Sequence, residues 1–269
     1  MSANVRRLQA VFRKELTTLT SYRVAMVLRL VNIGYFAVSF YFIAELVGDT
    51  EALQGFSGGY FEFALVGSIV ASWADVGISS FAEQISEEQN EGTLEAILVT
   101  PTPIWTVMTA SHFVAIIFVV AETVLLVGVG LALFGAGIPV LAMVTAVPVL
   151  LLTTLSFVPI GILAAAFIVL VKRGDPITGP GHQLTLLLSG ALYPLSVLPG
   201  WLEGVTNLVP ATYGVRATRA LAQTDAAFTE TFDEMAVLIG FAAIALPISL
   251  VVFRWAVTVA RKAGTLGTY

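Results

Sequence analysis

Two histidines, His112 and His182, and a few acids set in apolar surroundings are the residues of this chain that could do chemistry. Neither histidine stands in the HExxH pattern that holds a hydrolytic zinc. There is no cysteine, which removes disulfide, zinc-thiolate and iron–sulfur chemistry. A phosphate loop needs Gly-Lys-Ser/Thr, but Lys14, Lys172 and Lys262 are followed by Glu15, Arg173 and Ala263, so the chain does not hydrolyse ATP by that route. Glu87-Glu88 opens like the Glu-Glu-x-x-x-Arg helix of certain membrane proteases, but Gly92 stands where the arginine belongs. Gly174-Asp175 lacks the earlier glycine of an intramembrane aspartyl protease, because Lys172 occupies that position. No catalytic set, metal site or cofactor site emerges, and the chain is read as a non-enzyme.

What remains is a set of polar residues inside long apolar runs: Arg29, Asn32, Glu62, Asp75, His112, Glu122 and His182. Ionisable groups at membrane depth are costly and point to pathways or to interior pairing. In an ion-coupled carrier Asp75 and Glu122 would form the relay; paired within the bundle, they would be structural. Glu62 and His112 lie near the ends of their runs, where an interfacial position is the plainer reading. Gly67, Ser68, Ala71 and Ser72 give one segment a face of small residues suited to close helix packing.

A second constellation is EEQNEGTLEAILVTPTP, residues 87–103. Gly92 ends one helical segment. Thr93 can cap a new short helix, with Glu95 favoured in its first turn by the dipole. Leu94, Ile97 and Leu98 form a small apolar face, and Thr102-Pro103 reads as the cap and first residue of the next long helix. A plain connection has no need of three large apolar residues in water, so this stretch is expected to dock a partner.

The elements that must position these residues follow from composition. Of 269 residues, 57% are hydrophobic and 12% charged, with mean hydropathy +0.91. That is roughly half the charge of a soluble domain. A soluble enzyme, a nucleic-acid-binding protein and a disordered regulator are excluded; net charge −5 leaves no basic field for nucleic acid. The apolar runs are too long and continuous for an outer-membrane barrel. They predict an all-α integral membrane protein with six transmembrane helices at 24–47, 60–82, 104–134, 138–171, 183–198 and 234–260. The first run contains Arg29 and Asn32, and no small-x-small cleavage pattern follows a short apolar core, so it is read as a permanent span. Pro139 suits a helix start, whereas Pro148 and Pro159 predict kinks.

Residues 1–23 predict an amphipathic interfacial helix, with Val5, Leu8, Phe12, Leu16 and Leu19 on one face and Arg6, Arg7, Arg13 and Lys14 on the other. Basic residues cluster there, at Lys172 and Arg173, and at Arg254, Arg261 and Lys262, which an even number of spans places together on the cytoplasmic side. The loop 83–103 falls on that side despite its acids. Residues 199–223, broken by prolines and glycines yet apolar, predict a re-entrant pair of short helices on the outer side.

EEQNEGTLEAILVTP resembles the cytoplasmic-loop pattern of the type-2 ATP-binding-cassette (ABC) exporter permeases. PLSVLPGWLEGVTNLVPATYGVRATR (194–219) and RKAGTLGTY (261–269) are similar to that family's proline-rich stretch after span five and to its basic ending. The family often has Arg beside the loop's acids, where this chain has Gln89-Asn90. The resemblance implies one permease domain over 1–269, a half-transporter that pairs with a second copy of itself and with cytosolic ATPase subunits, which bind the ATP and magnesium. It implies a coupling helix whose ATPase contacts fall on Glu87, Glu88, Glu91, Gly92, Thr93, Leu94, Glu95, Ile97 and Leu98. Substrate, an amphiphile such as a lipid, glycan or drug-like molecule, would pass between protomers along spans one, two and five. Asn32, Phe36, Ser72 and Asp75 are the pathway candidates on the first two spans; Leu192, Tyr193, Pro194 and Leu195 are those at the outer gate.

Overall fold

The computed structural model describes residues 23–48, 59–94, 104–171, 177–223 and 226–262. Every regular element among them is helical, as lipid demands, because a helix satisfies its own backbone N–H and C=O groups. The long elements are α1 (Arg23–Val47), α2 (Gly59–Asn90), α3 (Ile104–Phe134), α5 (Val147–Val171) and α9 (Phe232–Lys262). Between α3 and α5 lies the short α4 (Val140–Thr145), with Pro139 at its N-cap. The Ala146 N–H donates to Ala142 O and the Leu150 N–H to Ala146 O, each at 3.0 Å, so α4 and α5 continue one another. Pro159 lies inside α5 and Pro247 inside α9, and neither ends its helix. The remaining helices are α6 (Thr178–Leu188), α7 (Gly200–Thr206) and α8 (Pro210–Gln223).

Six full spans are the sequence expectation. Among the described residues four lengths are long and apolar enough to cross a membrane: Gly59–Asn90, Ile104–Phe134, Val140–Val171 and Phe228–Lys262. Val31–Val47 of α1 is a shorter apolar helix. The clearest departure is the fifth span, expected over 183–198. Its helix begins earlier, at Thr178, and stops at Leu188. Eleven residues reach about 16 Å, against a hydrocarbon core of about 30 Å. The stop has a local cause. Gly190 adopts φ +72°, a left-handed conformation that only glycine takes freely, and Pro194 and Pro199 follow.

A second departure lies at the other end of α2. Residues 83–90 were expected in a loop, yet the helix runs on through Asn90. Glu83, Gln84, Glu87 and Glu88 are good helix formers, and nothing breaks the pattern before Gly92. Residues 1–22, which carry the expected amphipathic helix, lie outside the described residues. So do Lys172, Arg173 and the 263–269 ending.

The bundle is built around α2, which packs against α1, α3, α5, α6 and α8, while α9 packs on α5 and α8. Small residues set the closest approach. A Cβ on Gly77 would overlap the Thr154 carbonyl, and one on Gly161 the Gly77 carbonyl, so α2 and α5 touch backbone to backbone. The Thr154 hydroxyl donates to the Trp73 carbonyl at 2.8 Å, and the Trp73 indole N–H to Thr123 Oγ1 at 2.9 Å, tying α5, α2 and α3 together. Ser80 Oγ meets His112 Nδ1 at 2.7 Å, and Glu62, buried, accepts the Gly137 N–H at 3.0 Å. Interior pairing thus accounts for two of the polar residues in the apolar runs.

Candidate functional site

The acidic end of α2 closes in a Schellman turn. Gly92 takes φ +70°. Its N–H donates to Gln89 O at 3.0 Å, and the Thr93 N–H to Glu88 O at 2.9 Å, which uses two carbonyls a helix end would leave unpaired. The backbone reversal expected at Gly92 is present. Thr93, however, turns its hydroxyl back to the Glu88 carboxylate rather than forward onto a new helix. Gln84 Nε2 donates to the other Glu88 oxygen at 2.9 Å, and Gln89 Nε2 to Ile168 O at 3.2 Å.

Two of the residues assigned to partner docking therefore face inward. Glu88 is 3% exposed, and Leu94 is 1% exposed. The expectation that Leu94 stands in water does not hold. It belongs to the apolar cluster of Phe81, Ala82, Ile85, Met108 and Phe253, at the meeting of α2, α3, α5 and α9. An apolar side chain next to a tight turn reaches the protein's own core more readily than it waits for a partner. Glu87, Glu91 and Gly92 are exposed. Glu83 is exposed as well and lies one helical turn before Glu87, so Glu83 and Glu87 share a stripe. Glu95, Ile97 and Leu98 lie outside the described residues.

The second site is a cavity of about 430 Å³ between α1, α2, α3 and α6. It gathers Asn32 and Phe36 from α1, Ser72 and Asp75 from α2, and Leu192 from the chain after α6. Five of the eight expected pathway residues thus share one space. Glu122 of α3 and His182 of α6 join them. His182 Nδ1 stands 3.1 Å from Asp75 Oδ1, both side chains 39% exposed. At 1.5 Å per residue, Asp75 lies about 24 Å from the start of α2, far from either end of that helix. The small-residue face divides its work: Ser68, Ala71 and Ser72 line the cavity, whereas a Cβ on Gly67 would overlap the Ala191 carbonyl. Tyr193, Pro194 and Leu195 do not line this cavity. Tyr193 donates its hydroxyl to Leu187 O, and Leu195 packs beside Gly190.

Sequence reasoning missed Arg219. Counted only as an outer-side charge, it is 6% exposed. Nη1 donates to Gly190 O at 2.8 Å; Nη2 donates to Ala191 O at 2.7 Å and Phe63 O at 3.0 Å. Its guanidinium also lies 3.4 Å from the centroid of the Phe63 ring. These are carbonyls where the chain leaves α6 and near the start of α2. One side chain thus fastens α8 to the break that replaces a full fifth span. The signal was present: an arginine one turn after Val215 in a helix whose other neighbours are small or apolar.

Apolar lengths suited to a bilayer, an acid-rich turn at one end of the central helix and a polar cavity midway along it define a multi-pass membrane protein of the transporter class. The family model described as ABC-2 type transporter matches residues 6–222, well over half the chain, and the chain belongs to that family. Comparison with curated proteins gives no match. The family consists of membrane subunits that generally work with an ABC ATPase, so this chain is the membrane domain of an ABC transporter rather than an enzyme in its own right.

Proposed function

We propose that this protein is the transmembrane subunit of an ATP-driven exporter in the cytoplasmic membrane, with both termini in the cytoplasm, assembled as a homodimer on two separate ATPase subunits. ATP and magnesium are bound by those partners. Closure of the ATPases loads residues 91–99 and switches the dimer between inward-open and outward-open states. The observation that carries this reading is the turn at Glu88–Leu94. Exposed Glu87 and Glu91 stand outside it, and Leu94 is sunk in the cluster where α2, α3, α5 and α9 meet. A push on the exposed part has a direct route into four helices. Glu95, Ile97 and Leu98 complete the ATPase contact. An amphiphilic substrate moves through the cavity beside Asp75, and the segment 190–215, with Tyr193, Pro194 and Leu195, forms the outer gate.

The test is copurification. The tagged chain, extracted in mild detergent from cells expressing its neighbouring ATPase candidates, should bring down one ATPase subunit per permease chain. Recovery of the chain with no ATPase would sink the reading. A second reading, an ion-coupled secondary transporter, draws on the placement of Glu122 in the same cavity as the Asp75–His182 pair. Transport by this chain alone, driven by a proton gradient, would favour it.

A further inference from the structure

The cavity has a chemical bias. Two carboxylates, Asp75 and Glu122, line it, and no Lys or Arg is among its lining residues. Asp75 is paired with His182. With both acids ionised, the cavity carries one net negative charge when His182 is protonated and two when it is neutral. Its remaining polar groups, Asn32, Ser68 and Ser72, are uncharged. The walls are apolar and aromatic: Phe36 and Phe40 stand on one side, with Leu126, Leu186 and Leu192 among the others. Phe36, 48% exposed, presents a ring face available to a ligand cation. In a low-dielectric setting an anion entering this space meets unscreened repulsion, whereas a cation replaces its lost hydration with carboxylate and ring contacts. The volume of about 430 Å³ falls within the range of roughly 300–1,000 Å³ typical of small-molecule sites. A bare metal ion fits less well, since among the described residues no group of three or more His, Cys, Asp or Glu could hold one.

We propose that the cavity bounded by Asn32, Phe36, Ser72, Asp75, Glu122 and His182 is a binding site for drug-sized cationic amphiphiles, and that these are the substrate class of this permease. The assignment rests on the exporter reading above. Asp75 and Glu122 supply the charge selectivity, Phe36 and Phe40 hold the apolar body against their rings, and Asn32 and Ser72 orient its polar edge.

The cysteine-free sequence makes a direct test possible. A Ser72→Cys variant of the full chain, in nanodiscs of neutral phosphatidylcholine, carries one thiol, set in the cavity wall. Its labelling by N-ethylmaleimide is followed with tetraphenylphosphonium or tetraphenylborate present, two ions of the same shape and opposite charge. Tetraphenylphosphonium should slow labelling saturably, by about tenfold at full occupancy, and tetraphenylborate by less than about twofold, although the borate partitions more strongly into the bilayer. Adding Asp75→Asn and Glu122→Gln should abolish protection by the phosphonium while leaving the unliganded labelling rate within about twofold. If that triple variant does not fold, Ser72→Cys with Glu122→Gln alone should lose at least about threefold of the protection. Equal protection by both ions, no protection by the cation, or protection that survives loss of the carboxylates overturns the proposal. The labelling needs no ATPase, so a failure here leaves the copurification result standing, and a failure of copurification leaves this readout intact.

Discussion

At the scale of single residues, Arg219 shows how a charge can be structural in this setting. Its three carbonyl partners belong to backbone that has left regular helix or starts one, where no N–H of the same element is at hand. Each buried carbonyl left without a partner costs about 1–3 kcal/mol. Arg219→Ala should therefore lower the thermal unfolding midpoint of the purified protein by several degrees and release α8 from the end of α6, read as faster hydrogen exchange at residues 189–199. Arg219→Lys should recover only part of the loss, since a single ammonium does not span three acceptors as a planar fork does. Unchanged stability in Arg219→Ala would mean the carbonyls find water. Glu88 is a second such residue. Its carboxylate receives the side chains of Gln84 and Thr93, so Glu88→Ala should loosen the turn, whereas Glu87→Gln, at an exposed position, should change stability by less than about 1 kcal/mol. Comparative melting of the two variants in one detergent decides this.

At the scale of elements, the long apolar runs were legible because a bilayer leaves them one solution. The helix Ile104–Phe134 coincides with the apolar run 104–134, and Val140–Val171 with 138–171 to within two residues. Gly92 could be read as a helix end because its left-handed conformation has few substitutes. What could not be read was which way short side chains turn at a helix end. Thr93 has the composition of a forward cap, yet a carboxylate one turn back offers a stronger acceptor. Leu94 has the composition of an exposed docking residue, and only the meeting of four helices reveals the pocket that takes it. The fifth span failed for a related reason. Ala191 to Leu198 is apolar enough to extend a helix, but the turn at Gly190 and the carbonyl clasp of Arg219 are three-dimensional facts. The new position of Leu94 changes what its substitution should do. Leu94→Ala removes buried apolar volume, at about 2–5 kcal/mol, and should weaken the link between turn and bundle. ATPase copurification should persist while substrate-stimulated ATP hydrolysis falls at least about fivefold. Reversing the exposed acids together, Glu87→Lys with Glu91→Lys, should do the opposite: full stability with loss of the ATPase from the purified complex. If both variants behave alike, the turn is a simple connection.

At the scale of the whole molecule, burial reveals where a second copy can sit. Span two was expected to face the partner protomer, but α2 is the centre of its own bundle, with 78% of its most apolar window buried inside the chain. The exposed apolar faces beside the cavity belong to α1 and α6, with Tyr35 and Phe42 each 66% exposed, Leu184 54% and Leu187 50%. A two-fold contact across these helices would close the cavity between protomers. Cysteines introduced singly at Leu184 or Leu187 should therefore crosslink as dimers in native membranes, and a cysteine at Ile69, buried on α2, should not. Crosslinking at Ile69 with none on α6 would place the two-fold elsewhere. The central claim, that this chain moves substrate only when an ATPase drives it, is met most directly by transport in proteoliposomes. The permease is reconstituted with its copurifying ATPase and loaded with a fluorescent lipophilic cation. Movement of the cation should require ATP, cease when the ATPase is left out, and ignore an imposed proton gradient. Movement by the permease alone, driven by that gradient and indifferent to ATP, would contradict the account.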